Sequence, residues 1–126
     1  MAKVLGVGGV FFKADDPTAL GEWYQKCLGV PVEHPYGASF KPVSMPPGGL
    51  TVWAPFDSST TYFDPSRKEL MFNLVVDDLD GALQQVRDGG AEVIGEIEEF
   101  EYGRFGWFLD PEGNKVELWE PQGESP

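Results

Sequence analysis

The chain has 126 residues, of which 41% are hydrophobic and 13% aromatic; that is one compact domain's worth, and too aromatic for a disordered chain. Nine Lys and Arg against 21 Asp and Glu give a formal charge of −12, which argues against nucleic acid and anionic membranes, since both are bound through phosphate. There is no run of about 18 apolar residues to cross a bilayer, so a cytoplasmic protein is expected.

Taken in chain order, Val4 to Lys13 is rich in Val and Phe and reads as a strand rather than a signal peptide, for it lacks a basic start and a small-residue cleavage site. It runs into Asp15-Asp16-Pro17. Asp16 suits an N-cap and Pro17 the first helical position. Leu20, Trp23, Tyr24, Cys27 and Leu28 then recur at helical spacing, and Gly29 closes the helix. Cys27 is the one cysteine, which leaves no internal disulfide and reads as core. Val30 to His34 resumes an extended pattern. Ala38 to Val43 and Leu50 to Trp53 are candidate strands around the turn Pro46-Pro47-Gly48-Gly49. Phe56 to Arg67 is polar and connects two halves.

The second half repeats the first. Leu70 to Val76 is a strand, Asp77-Asp78 precedes a helix near 78–89, and Leu79, Ala82, Leu83 and Val86 form its apolar face. Ala91 to Ile97, Arg104 to Leu109 and Lys115 to Trp119 are three further strands. Asp110-Pro111-Glu112-Gly113-Asn114 is the hairpin turn between the last two. Lys13-Ala14-Asp15-Asp16 lies about 62 residues before Val75-Val76-Asp77-Asp78, each followed by a helix, a glycine and a Val-containing strand. That spacing describes an internal duplication of a βαβββ unit.

The runs VFFKADDPTALGEWYQKCLGV and FNLVVDDLDGALQQVRDGGAEV, with the closing run DPEGNKVELWEP, resemble the two modules of the vicinal oxygen chelate superfamily. That superfamily includes glyoxalase I, bleomycin-resistance proteins and extradiol dioxygenases. The resemblance implies an α+β fold in which two βαβββ modules in tandem form a curved eight-stranded sheet around a cavity, with the helices outside. Residues 1–126 then form a single domain: module one about 1–56, a linker about 57–67, and module two about 68–121. It also implies pairing into a homodimer.

In the superfamily's enzymes a divalent metal sits in the cavity, commonly on two histidines and a glutamate and in some members on a further acidic ligand. Carried over by position, the last-strand glutamate falls on Glu117. The other ligand positions fall on Gly9, Met71 and near Trp53. Glycine has no donor, and a thioether is poorly matched to a hard cation. A single carboxylate does not hold a catalytic metal, which takes about three protein ligands. No metal and no other cofactor is therefore expected. The sole histidine, His34, stands at a strand end as a loop-edge residue, or as a displaced ligand or acid/base group.

Alternation along the strands places Phe11, Lys13, Trp53, Met71, Asn73, Glu117 and Trp119 towards the cavity, and Tyr102 and Arg104 flank a glycine at its mouth. Lys13 suits a cationic binding group or an exposed strand end. Asn73 suits a pocket group or a bridge between strands. A buried Glu117 needs a cation, with Lys13 and Arg104 the candidates, or a proton. The acidic run Glu96, Glu98, Glu99 and Glu101 reads as a solvated edge strand. This set points to a small-molecule binding protein, metal-independent, whose ligand is neutral or cationic and aromatic. The alternative is a glyoxalase- or dioxygenase-like enzyme, a lyase or oxidoreductase, with Glu117 as the catalytic base. A third reading is a structural module in a larger assembly.

Overall fold

The computed structural model describes residues 3, 7, 9–33 and 37–122. The elements run α1 (Pro17–Leu28), β1 (Val32–Glu33), β2 (Gly37–Ala38), a 3-10 turn (Pro42–Ser44), β3 (Phe72–Val75), α2 (Leu79–Asp88), β4 (Glu92–Phe100), β5 (Gly103–Leu109) and β6 (Lys115–Pro121). Both helices start as their sequences direct. Asp16 accepts a hydrogen bond from Ala19 N and Asp78 from Gly81 N, and Pro17 opens α1 without an amide that would go unpaired. Gly29 ends α1 at φ 65°, in the left-handed region where a side chain would strain the chain.

The second half is a complete βαβββ unit. Its four strands pair in the order β3-β6-β5-β4. β3 runs parallel to β6, while β5 is antiparallel to both β6 and β4. Strand alternation then sorts side chains to two faces. On one face Phe108, Val116 and Leu118 pack with Leu79, Ala82, Leu83 and Val86 of α2 to make the main core. Helix α1 joins this same side: Trp23 donates to Gly89 O at 2.9 Å, and Gln85 donates to Cys27 O at 2.8 Å. On the other face Phe105, Trp107 and Trp119 form a second cluster with Met71, Val75 and Ile94. The edge strand β4 carries Glu96, Glu98 and Glu99 of the acidic run, Glu101 falling in the turn that follows, and shifts register between Ile94 and Glu98.

The β5–β6 turn also fastens α1. Asp110 Oδ1 accepts from Glu112 N and Asn114 N, and its Oδ2 accepts from Asn114 Nδ2 and from the Tyr24 hydroxyl at 2.8 Å. The Glu112 carboxylate accepts from Asp15 N and Asp16 N, just before the helix. These two backbone bonds hold the Glu112 carboxyl below its ordinary range.

Six strands are found among the described residues, where eight in two equal halves were expected. The first-half strands account for the difference. Residues 9–13 and 50–56 have no ladder partner, and part of the expected 4–13 strand lies outside the described residues. Of the run Ala38 to Val43 only the start pairs, and Pro42 opens a 3-10 turn instead. Alternation selects a face only once a partner strand exists. Within Ala38 to Val43, Pro42 also removes an amide that a ladder needs.

A buried carboxylate on an aromatic sheet face

The second cluster surrounds an acidic side chain. Glu117 is 9% exposed. Register sets it between Asn73 on β3 and Trp107 on β5. Trp107 Nε1 donates to Glu117 Oε2 at 2.9 Å, and Asn73 Nδ2 donates to Oε1 at 2.7 Å. A third donor arrives from outside the sheet: the Tyr62 hydroxyl reaches Oε2 at 2.6 Å. Lys115, two residues before Glu117 on the same face, donates from Nζ to Tyr62 O at 2.6 Å. Its ammonium lies 5.1 Å from the Tyr62 ring centroid and 5.8 Å from that of Trp107, within cation–π range.

These contacts displace two proton affinities. Burial and the bond to Glu117 push the Tyr62 phenol above the ordinary tyrosine range. Burial pulls the Lys115 ammonium below the usual lysine range, against the opposing pull of Glu117, Asp64 and Glu98. The result is a carboxylate solvated by three neutral donors inside an aromatic wall. Such a site orients a polar group set against it.

Of the residues expected to line a cavity, Met71, Asn73, Glu117 and Trp119 share this face. Trp119 lies parallel to Phe105 at 5.9 Å and donates to Tyr102 O at 2.8 Å, so Tyr102 stands at the rim. Arg104 does not share the face. It alternates with Phe105 to the helix side, where it pairs with Asp80, Glu99 and Glu120. Phe11 is 94% and Trp53 79% exposed, and Lys13 is exposed too; none is brought to Glu117. The expected ion pair of Glu117 with Lys13 or Arg104 is therefore replaced by hydrogen bonds from neutral groups. His34 lies outside the described residues.

Three members of the cluster escaped the sequence reading. Lys115 shares the parity of Glu117 on β6, a signal present in the sequence. Trp107 needs the β5–β6 register, which the five-residue turn specifies. Tyr62 comes from the stretch read only as a connection and carries no local signal.

The family model described as a glyoxalase-like domain matches residues 9–119. The chain belongs to this glyoxalase-like domain family. It is thereby a member of the vicinal oxygen chelate superfamily. A glyoxalase/bleomycin resistance protein/dioxygenase domain from a Frankia species is 18% identical over 95% of this chain and 100% of that one, with a TM-score of 0.56. A protein from Agrobacterium tumefaciens is 18% identical over 94% and 100%, with a TM-score of 0.55. These two likenesses concern the fold. An antibiotic-binding protein, TnmS3, from a Streptomyces species is 31% identical over 42% of this chain and 44% of that one, at a TM-score of 0.38. Matches of that higher identity span well under half of the solved relatives' length. No curated protein matches.

Membership raises the question of the superfamily's metal. In this glyoxalase-like domain the groups around Glu117 are an indole N–H, a phenol and an amide, all donating to it. An indole nitrogen offers a metal no lone pair. Among the described residues, no group of three His, Cys, Asp or Glu side chains is arranged to hold a metal ion. Gly9 stands apart beside the Phe11 ring. This donor set does not fit a divalent cation.

Proposed function

We propose that this glyoxalase-like domain is a metal-independent small-molecule binding protein whose ligand, neutral or cationic and bearing an aromatic ring, sits on the sheet face around Glu117. One observation carries the reading: a carboxylate 9% exposed is held by three neutral donors within a wall of Trp107, Phe105 and Trp119. Aromatic faces favour an aromatic or cationic guest, and the chain's charge of −12 disfavours an anionic one. Met71, Asn73 and Trp119 are the proposed wall, Tyr102 the rim, and Glu117 the polar anchor. Phe11, Trp53, Val52 and Leu50 leave apolar surface exposed, which supports a homodimer.

A thermal-shift screen with neutral and cationic aromatic compounds tests this. A true ligand at about 100 times its Kd stabilises the native state by about 2.7 kcal/mol, and Glu117→Leu removes most of that gain. Metal analysis of the purified protein should give far less than one equivalent per chain, and a chelator should leave the melting point unchanged. One tightly bound metal per chain, lost in Glu117→Leu, refutes metal independence.

A further inference from the structure

Tyr62 reaches the Glu117 face from a segment that contributes to neither helix nor strand. Its surroundings engage every part of a phenol. The hydroxyl donates to Glu117 Oε2 at 2.6 Å. The ring stands edge-on to Trp107, at 6.3 Å and 86°, and stacks on Phe56 at 5.8 Å and 24°. The Lys115 ammonium lies over the ring. Yet Tyr62 is 40% exposed. Glu117, Trp107, Lys115 and Asn73 are fixed on three paired strands, so the seat persists when Tyr62 leaves it. Lys115, which donates to the backbone carbonyl of residue 62 rather than to its side chain, stays facing whatever ring replaces the phenol.

We infer that Tyr62 is an internal occupant of a phenol subsite, and that the ligand is a neutral molecule with an aryl hydroxyl that displaces Tyr62 and donates to Glu117 in its place. The inference rests on the reading of this face as a small-molecule site and narrows the ligand class. An aryl hydrocarbon leaves a buried acceptor short of a donor. An aryl carboxylate sets anion against anion at Glu117. A cationic ring meets the Lys115 ammonium across its face. A neutral phenol satisfies all three constraints.

Tyr62→Ala vacates the seat. p-Cresol is the missing side chain as a free molecule, and toluene is the same molecule without the hydroxyl. The reporter is the Trp107 indole N–H resonance, assigned by its absence in Trp107→Phe. The expected result is that p-cresol shifts this resonance in Tyr62→Ala at concentrations at least tenfold lower than in the wild type. Toluene should bind Tyr62→Ala at least threefold more weakly than p-cresol. Equal response of variant and wild type, or equal binding of toluene and p-cresol, overturns the inference. Should Tyr62→Ala not fold, Tyr62→Phe carries the test: its ring lacks the hydroxyl and competes less well, so p-cresol binds it several-fold tighter than the wild type, and equal affinity overturns the inference. If p-cresol fails while another aromatic compound still stabilises the wild type through Glu117, the phenol assignment falls and the binding function stands. If p-cresol fills Tyr62→Ala while nothing in the screen protects the wild type, Tyr62 is a permanent part of the core and both readings fall.

Discussion

Replacing Glu117 by alanine separates the cost of a buried charge from the cost of the donors gathered around it. The substitution removes the carboxylate's desolvation penalty, which is several kcal/mol, together with three charged hydrogen bonds worth about 1.5–3 kcal/mol each. These two sums largely cancel. What remains is the fate of the donors. Asn73 is exposed and Tyr62 is 40% exposed, so both turn to water. Trp107 is 6% exposed, and Glu117 is the acceptor its Nε1 holds. An orphaned buried donor costs about 1–3 kcal/mol. Glu117→Ala should therefore destabilise by about 2 kcal/mol, or roughly 6–10 °C in melting point for a chain of this size. Trp107→Phe removes the orphan, so in that background Glu117→Ala should cost about 2 kcal/mol less, a coupling in the range seen for contacting residues. Urea unfolding followed by far-ultraviolet circular dichroism on the four proteins of the cycle measures it. A coupling below about 0.5 kcal/mol would refute the argument that Trp107 is the energetic partner of Glu117.

The contrast between the two halves shows what a sequence specifies locally. Asp16-Pro17 and Gly29 bound α1 because caps act within one turn of the chain. The second-half strands are legible because short connections impose their register, and the Asp110–Asn114 turn closes β5 on β6. The runs at 9–13 and 50–53 are likewise rich in β-branched and aromatic residues but have no partner strand among the described residues, and pairing is a non-local event. The site divides in the same way. Parity on β6 was enough to put Glu117 and Trp119 on one face, and it equally places Lys115. Arg104 is near Tyr102 in sequence, yet the β5 alternation sends Arg104 towards Asp80 on α2. Tyr62 lies 55 residues from Glu117, and nothing in its own segment marks it as a partner.

Three further perturbations test the architecture. Gly103→Ala should be strongly destabilising, by about 2–4 kcal/mol, because φ is 134° there and an added Cβ meets Glu120 O and the Trp119 indole; a melting point within 2 °C of wild type would contradict that crowding. Light scattering should give the mass of two chains, and Phe11→Ser with Trp53→Ser should shift it towards one; a wild-type monomer at high concentration refutes the homodimer. The last concerns alkali. The Tyr24 hydroxyl is pushed well above the ordinary tyrosine range, chiefly by burial and then by the adjacent Asp110 charge, and that of Tyr62 is raised as well. An unfolded tyrosine ionises near pH 10. Below that value both states hold the proton, and the native contribution is present in full. Above it the unfolded state loses the proton while the native state keeps it, so stability falls as pH rises. For the more deeply buried Tyr24 the slope is about 1.4 kcal/mol per pH unit, and half-exposed Tyr62 adds less. Absorbance at 295 nm should therefore show two of the four tyrosines ionising only as the circular dichroism is lost, and Tyr24→Phe should flatten the decline. Reversible ionisation of all four near pH 10 with the fold intact would show that neither hydroxyl is held by the contacts assigned to it.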